Sequence, residues 1–200
     1  MVWLIDRGKN MEYIYGNLGS KNIFEKLKRS KRVYIETGTY RGGGIDWAVN
    51  HFDEVHSIEL HKPYYDPCVE KYKDNSKVKL HFGDSRTKLS EILNSLNEPC
   101  FIFLDAHGDI DDTGPNPLYD ELESITNSSI KNHIILIDDV RRMGDASDPC
   151  WSKVDIEKLK KLLMDINSEY TVFEFKDTLI ACLEEDIKDD WVIPYGGEDI

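Results

Sequence analysis

VYIETGTYRGGG, residues Val33 to Gly44, is the stretch that decides the fold we predict for this chain. Its first three residues form a β-prone run, and the glycines that follow predict a tight turn leading into a helix. Gly38 permits backbone angles and a close ligand approach that a side chain would obstruct. A helix that begins near Gly42 would direct free N–H groups into the turn. Taken alone, the stretch fits a ligand-binding turn and an unliganded corner equally well.

Apolar runs of strand length recur downstream, with amphipathic stretches between them. The runs before Asp105 and Asp138 are continuously apolar, as expected of parallel strands buried on both faces. The pattern YTVFEFKDTLIACLEE predicts two strands joined at Lys176 and Asp177. We therefore predict an α/β fold: a Rossmann-like doubly wound sheet, mostly parallel, with a C-terminal antiparallel hairpin. The predicted helices are 45–50, 64–73, 86–96, 117–125 and 156–166.

Length and charge limit the kind of protein this chain can be. Its 200 residues predict one domain, residues 1–200, in which residues 1–32 form an N-terminal cap beside the sheet. The net charge of −13 disfavours binding to a phosphate backbone, so we expect no nucleic-acid partner. No apolar run approaches the roughly 20 residues that span a bilayer, and the N-terminus lacks the features of a signal peptide. We therefore expect no membrane insertion and a cytoplasmic location. The sequence defines neither the oligomeric state nor whether the chain is part of a larger enzyme.

The four cysteines are far apart in the sequence and include no C-x-x-C pair. We interpret them as reduced thiols that fill space, and we expect Cys100, beside an apolar run, to be buried. A catalytic cysteine is not predicted.

An acidic residue lies at the carboxyl end of each of the five predicted parallel strands. Ligands of doubly wound sheets bind beyond the carboxyl ends of the strands, so these side chains are expected to face one site. One such residue would mean little, because Asp is common in turns, but the recurrence indicates a functional edge. The residues are Glu36, Glu59, Asp84, Asp105, Asp138 and Asp139.

Five short motifs, taken in order, resemble those of class I S-adenosylmethionine (SAM) methyltransferases. They are E-T-G-T-Y-R-G-G-G, S-I-E-L, G-D-S, L-D-A-H and I-D-D, and they lie between Val33 and Val140. The turn G-T-Y-R-G-G departs from the common G-x-G-x-G and is similar to the variant in macrocin-type sugar O-methyltransferases. It also departs from the G-x-G-x-x-G of dinucleotide-binding enzymes.

The resemblance implies SAM as the cofactor and assigns a role to each matching residue. The first turn would lie against the methionine part of SAM, Glu59 would accept hydrogen bonds from both ribose hydroxyls, and Asp84 and Ser85 would lie near the adenine. The implied cofactor-binding residues are Glu36, Thr37, Gly38, Thr39, Tyr40, Arg41, Gly42, Glu59, Asp84, Ser85 and Asp105.

The resemblance also implies a divalent metal ion, because related metal-dependent O-methyltransferases hold magnesium at the ends of the fourth and fifth strands. Asp105, Asp138 and Asp139 match these ligands, and oxygen donors suit Mg²⁺. The ion would lower the pKa of an acceptor hydroxyl and hold it in line with the sulfonium methyl. As a structural alternative, the Asp138–Asp139 pair caps a nearby helix. His107 is the candidate catalytic base, with Asp105 as the alternative.

Taken together, the motifs resemble those of a SAM-dependent O-methyltransferase that acts on a hydroxyl of a sugar or glycan, for example a deoxysugar such as rhamnose. Asn116 and Tyr119 are candidates for contacts with acceptor hydroxyls, and Arg141 and Arg142 are expected to pair with the surrounding acids. The alternatives are a metal-independent small-molecule methyltransferase, a non-catalytic module that binds SAM or a glycan, and a nicotinamide-dependent oxidoreductase.

Overall fold

The computed structural model describes Leu27, residues 30–107 and residues 115–188. Its strands are β1 (Val33–Thr37), β2 (Glu54–Glu59), β3 (Val78–Phe82), β4 (Cys100–Leu104), β5 (Ile134–Ile137), β6 (Thr171–Phe175) and β7 (Thr178–Cys182). Its α-helices are α1 (Gly43–Ala48), α2 (Lys62–Tyr72), α3 (Ser85–Ser95), α4 (Leu118–Asn127) and α5 (Ile156–Ile166). Within this described part the strands form one seven-stranded sheet in the order β3-β2-β1-β4-β5-β7-β6.

The sheet is parallel from β3 to β5 and antiparallel where β7 pairs with β5 and with β6. The strand order reverses direction between β1 and β4, the point at which doubly wound sheets bind their ligands. The last two strands meet at Lys176 and Asp177, where Lys176 has a φ of 53°. These features confirm the predicted Rossmann-like sheet with its C-terminal hairpin.

Apolar side chains cover both faces of the sheet. In β4, Ile102 and Leu104 belong to the core formed with α3, α4 and α5, whereas Phe101 and Phe103 belong to the core formed with α1 and α2. Helices therefore lie on both faces of β4. This explains why its sequence is continuously apolar rather than alternating.

Strand β1 extends further than the β-prone run at its start. It continues through Thr37 because it pairs along its whole length with β2 on one side and with β4 on the other. Glu36 therefore lies inside the strand and not beyond its end, which corrects the sequence-based expectation. The helix after the turn has the predicted length of six residues but begins two residues earlier, at Gly43, and α2 also begins two residues before its predicted start, at Lys62. Pro63 in its first turn suits this early start.

The predicted cap, residues 1–32, lies outside the described residues apart from Leu27 and residues 30–32. Lys31 forms a buried ion pair with Asp186, with 3.0 Å between Nζ and Oδ1. This pair ties the segment before β1 to the segment after β7. None of the described helices is long and apolar enough to cross a membrane.

All four cysteines are free thiols, as predicted. Burial raises the pKa of Cys68 to about 11 and the pKa values of Cys100 and Cys182 to about 12. These three thiols are therefore protonated at neutral pH, which agrees with a packing role.

Candidate active site

The turn after β1 lies directly against the end of β4. Gly38 has a φ of 88° and donates its N–H to the carbonyl oxygen of Ile58 at 2.9 Å. A Cβ atom at this position would lie 2.3 Å from the carbonyl oxygen of Asp105. Since no side chain fits in that gap, glycine is required for the turn to approach β4 this closely. On the other side of the contact, the Asp105 N–H donates to both oxygens of Thr37, each at 3.2 Å.

The carboxylate of Glu36 is buried beneath α1. The Tyr34 hydroxyl donates to Oε2 at 3.0 Å, and the Ser57 hydroxyl donates to Oε1 at 2.7 Å. A Cβ atom at Gly44 would lie 1.9 Å from Oε2, so glycine in α1 makes room for this carboxylate. Burial, opposed by the two hydrogen bonds, raises the pKa of Glu36 to about 7. A cation bound nearby would shift this group to its ionised form.

Glu59 ends β2 beside the same turn and is oriented by backbone groups. The N–H groups of Tyr40 and His61 donate to Oε2 and Oε1, each at 2.7 Å. Tyr40 has a φ of 46°, a strained conformation for a non-glycine residue, and the Arg41 guanidinium lies 5.2 Å from its ring centroid. Each oxygen of Glu59 keeps a lone pair for a further donor, as its predicted role with the ribose hydroxyls requires.

Side chains outside the turn hold its remaining residues. The hydroxyls of Thr39 and Ser57 are 2.5 Å apart and share a hydrogen bond. The Tyr72 hydroxyl on α2 donates to the Gly42 carbonyl at 2.6 Å, and a Cβ atom at Gly42 would collide with that hydroxyl. The shape of the turn is therefore set by β2 and α2 as well as by its own glycines.

Asp84 begins α3, and its carboxylate has a structural role that the motif alone did not predict. Its Oδ1 accepts the Arg86 N–H at 3.0 Å as a helix N-cap, and its Oδ2 lies 2.7 Å from the Arg86 guanidinium. Pairing with Arg86 lowers the pKa of Asp84. The next residue, Ser85, is buried.

Glu121 is a fully buried carboxylate on α4 that the sequence-based prediction missed. Its oxygens lie near the hydroxyls of Ser85 and Thr37, but they have no hydrogen-bond partner among the described residues. Burial raises its pKa. A signal was present in the sequence, because an acidic residue occupies a core position between Leu118 and Leu122 on the apolar face of the helix.

The ends of β4 and β5 bring three potential ligands together. One side-chain atom each from Asp105, His107 and Asp139 lies within 4.8 Å of the others. Asp138 is buried beside this group but does not belong to it, and its Oδ1 accepts a long hydrogen bond, 3.5 Å, from the Thr178 hydroxyl on β7. The structure thus groups two of the predicted metal ligands with the predicted base.

This cluster carries an excess of negative charge. Burial, followed by repulsion from Asp138 and Asp139, raises the pKa of Asp105 well above its usual value. Burial also raises the pKa of Asp138. At Asp139 burial is outweighed by attraction to His107 and to the neighbouring arginines, and its pKa is lowered. Buried carboxylates that repel one another favour a cation between them.

His107 has a buried ring, 3% exposed, that packs edge-on against Trp151 with 4.4 Å between the centroids. Among the described residues neither ring nitrogen has a hydrogen-bond partner. Its Nδ1 lies 3.8 Å from Oδ2 of Asp139, too far for a hydrogen bond. Buried polar atoms are normally paired, so these nitrogens indicate a site prepared for a ligand.

Arg141 and Arg142 pair with acids, as the sequence indicated. Arg141 contacts Asp139, with 2.7 Å between Nη2 and Oδ1, and also pairs with Asp177, whereas Arg142 lies 2.7 Å from Asp148. The backbone N–H of Arg141 donates to Oδ1 of Asp177 at 2.8 Å. The hairpin turn therefore anchors the loop that carries Asp139.

The two candidates for acceptor contacts differ in how far they are engaged within the protein. The Tyr119 hydroxyl donates to the Lys153 carbonyl at 3.2 Å and accepts the Asp155 N–H at 2.9 Å. The Asn116 side-chain oxygen accepts the Leu118 N–H at 3.0 Å, whereas its buried Nδ2 has no hydrogen-bond partner among the described residues. Tyr119 thus joins α4 to the start of α5.

No family model and no curated protein matches this chain. Solved structures do share its fold. The Podospora anserina methyltransferase PaMTH1, bound to S-adenosylhomocysteine (SAH), is 20% identical with a TM-score of 0.53, over 83% of this chain and 77% of PaMTH1. The N-methyltransferase NodS from Bradyrhizobium japonicum is 12% identical with a TM-score of 0.53, over 80% of this chain and 90% of NodS.

A third similar structure is MycE, a methyltransferase of the mycinamycin biosynthetic pathway in complex with Mg and SAH. It is 12% identical with a TM-score of 0.55, and the match covers 84% of this chain and 48% of MycE. The chain therefore has the fold of SAM-dependent methyltransferases. Since NodS is an N-methyltransferase, the shared fold does not define the atom that accepts the methyl group.

Proposed function

We propose that this protein is a SAM-dependent O-methyltransferase that methylates a hydroxyl of a sugar or glycan with the help of a divalent metal ion. The contact between Gly38 and the carbonyl of Asp105 is the observation that carries this proposal. It sets the turn expected to hold the methionine part of SAM beside the acidic cluster expected to bind the acceptor. A methyl donor and an activated hydroxyl would then meet at one edge of the sheet.

The charges around the turn support SAM as the cofactor. SAM carries a sulfonium and an ammonium group, and the raised pKa values of Glu36 and Asp105 mark positions where a cation would be stabilised. Glu59 offers two oriented oxygens to a ribose diol. The SAH-bound structures of PaMTH1 and MycE support the same cofactor.

In the proposed reaction the acceptor oxygen attacks the methyl carbon of SAM. The new C–O bond forms as the C–S bond breaks, and SAH leaves as a neutral thioether. In the metal-free protein Asp105 and His107 are the groups available to take the hydroxyl proton, and burial raises the pKa of Asp105, which makes it a stronger base than an exposed carboxylate.

The residues at this position fit a divalent cation, because the buried carboxylates repel one another and the imidazole of His107 has no hydrogen-bond partner in the described part of the chain. Asp105 and Asp139 would supply carboxylate oxygens to the ion, His107 lies beside them, and Asp138 is buried next to this group. When bound, the ion would make the acceptor hydroxyl more acidic and fix its position.

The charge of the chain favours an acceptor without negative charge, such as a neutral sugar. The net charge of −13 disfavours polyanionic acceptors such as nucleic acid. MycE, which has a similar fold, was solved with Mg, which supports the divalent metal ion rather than a particular acceptor. A deoxysugar such as rhamnose is the acceptor that we would test first.

The test combines SAH calorimetry with transfer of a labelled methyl group from SAM to a panel of sugars and glycans. We expect SAH binding and transfer to a sugar hydroxyl. Asp105→Asn should lower turnover by about 100-fold or more and change SAH affinity far less. SAH binding without transfer to any acceptor would instead identify a binding module. Full activity after chelation would remove the metal from the proposal, and tight NAD binding without SAH binding would overturn it entirely.

A further inference from the structure

We propose that the metal site is formed by Asp105, His107 and Asp139, with Asp138 outside the coordination shell, and that it prefers a first-row transition ion such as Mn²⁺ to Mg²⁺. This inference refines the metal site of the proposed function. Metal binding is nevertheless measurable without any methyl acceptor, so the two proposals can fail separately.

The ligand atoms of the three side chains lie close enough for one ion to bind them after small adjustments. A divalent ion with bonds of about 2.1 Å holds neighbouring ligand atoms about 3.0 Å apart and opposite ones about 4.2 Å apart. Nδ1 of His107 lies 3.8 Å from Oδ2 of Asp139, inside this interval, and all three ligand atoms lie within 4.8 Å of one another. Small side-chain movements would complete the site.

His107 has no competing use within the described structure. Its ring is 3% exposed, and neither nitrogen has a hydrogen-bond partner among the described residues. Packing against Trp151 holds the ring in place, with 4.4 Å between the centroids. A buried imidazole that is fixed by packing and free at both nitrogens is suited to coordinate an ion.

Glu121 is a second buried carboxylate near this group. Its charge acts on His107, and its oxygens lie near the hydroxyls of Ser85 and Thr37 without a hydrogen-bond partner among the described residues. Histidine ligands generally donate their second N–H to a carboxylate or carbonyl, which orients the ring. Glu121 adds negative charge to the surroundings of His107, which favours a cation there.

Asp138 is placed outside the shell because its carboxylate does not belong to the group of ligand atoms that the other three side chains form, although it lies near Asp105. Asp139 has a left-handed backbone with a φ of 61°, so the chain turns sharply between the two aspartates. Asp138 contacts Thr178 on β7, whereas Asp139 presents Oδ1 to Arg141 and Oδ2 towards His107. Arg141 therefore neutralises Oδ1 of Asp139, whereas Oδ2 faces His107 and has only a distant contact, 3.9 Å, with the guanidinium of Arg142.

The ligand set determines the choice of ion. Mg²⁺ prefers oxygen ligands at short, regular distances and takes imidazole poorly. Imidazole suits first-row ions such as Zn²⁺, Fe²⁺ and Ni²⁺, and carboxylates suit Mn²⁺. Mn²⁺ is the first-row ion that we would use as the probe, because free Mn²⁺ gives a resonance signal. Two carboxylates and one imidazole therefore favour a transition ion over Mg²⁺.

The experiment is a Mn²⁺ titration of the whole protein, followed by the electron paramagnetic resonance signal of free Mn²⁺, with Mg²⁺ as competitor. We expect one Mn²⁺ per chain and displacement only by a large excess of Mg²⁺. His107→Ala and His107→Gln should each weaken Mn²⁺ binding by about tenfold or more, whereas Asp138→Asn should change it less than about threefold. Thermal unfolding and SAH binding, measured on the same samples, control for folding.

A second measurement uses Trp151 as a reporter. Mn²⁺ or Co²⁺ bound beside His107 should quench its fluorescence, and Trp151→Phe should abolish the quenching while the resonance titration still shows binding. Loss of Mn²⁺ binding in Asp138→Asn with retention in His107→Gln would overturn the assignment in favour of three carboxylates. Equal affinity for Mg²⁺ and Mn²⁺, or no Mn²⁺ binding by a protein that binds SAH, would also overturn it.

Discussion

Gly38 has only a hydrogen atom where other residues have a side chain. This allows the turn after β1 to pack directly against the carbonyl group of Asp105. Any larger group would meet that oxygen at 2.3 Å and would also have to adopt a φ of 88°. The cost of a substitution therefore has two parts, backbone strain and collision. Another glycine of the chain allows them to be separated.

Gly38→Ala should destabilise the protein by about 3 kcal/mol or more, because left-handed strain of about 1–2 kcal/mol adds to a steric conflict of similar size. It should also abolish SAH binding. Gly144→Ala is the matched control, since Gly144 has a φ of 76° but its Cβ would meet nothing closer than 3.9 Å. Urea denaturation and SAH calorimetry measure both effects. Equal losses of stability in the two variants would show that the contact with Asp105 is unimportant.

The residues of the candidate site differ in how far the sequence could predict them. Glu59 and Asp105 were predictable because parallel strands bring their carboxyl ends to one edge. The direction of Asp138 was not, because it depends on the backbone angle of Asp139 and on Thr178, a residue of a distant strand. Local sequence does not encode such long-range contacts.

Helices and strands show the same division between local and non-local information. The amphipathic period of α5 predicted its bounds, 156–166, correctly. The β-prone run at the start of β1 predicted only the first three residues of the strand. Pairing with β2 and β4 extends the strand through Thr37. Apolar period thus locates an element, and its neighbours in the sheet determine where it ends.

Asp84, at the start of α3, has an observed role as helix N-cap and a predicted role near the adenine. A pair of N-cap variants separates these two roles. Asp84 caps α3 through the Arg86 N–H, and Asp155 caps α5 through the Lys158 N–H at 2.9 Å. Asp84→Ala and Asp155→Ala should each cost about 1 kcal/mol of stability, because each leaves a helix N–H unpaired. Only Asp84→Ala should weaken SAH binding, since only α3 lies beside the predicted adenine position.

Chemical denaturation and SAH calorimetry of both variants make this comparison. If SAH affinity falls equally in the two, the effect comes from general destabilisation and the adenine role of Asp84 is wrong.

For the molecule as a whole, buried histidines make stability depend on pH. His133 lies between β4 and the segment before β5, where its Nδ1 accepts the Cys100 N–H at 3.0 Å and its Nε2 lies 2.9 Å from the Ile130 carbonyl. Burial lowers its pKa to about 4. In the unfolded chain the same group takes up a proton near pH 6.5.

The unfolded state therefore binds more protons than the folded state below pH 6.5, and acidification favours unfolding until the pH falls below about 4. His133→Asn keeps an acceptor for the Cys100 N–H but cannot titrate. Between pH 7 and pH 5 the wild type should lose about 2 kcal/mol more stability than this variant. The raised pKa of Glu36 acts in the opposite direction but is common to both proteins. Urea denaturation at the two pH values tests the prediction, and identical pH dependence would refute it.

The strand order β5-β7-β6 has a consequence for synthesis of the chain on the ribosome. Strand β7 is made last but lies between two strands made earlier, so β5 keeps an open edge until Cys182 has left the ribosomal tunnel. That edge consists of the fully buried residues Ile134–Ile137, and an exposed apolar edge of this kind invites pairing with other nascent chains. Asp177, which anchors the loop carrying Asp139, arrives at the same late moment. Completion of the sheet and completion of the site are therefore a single event during translation.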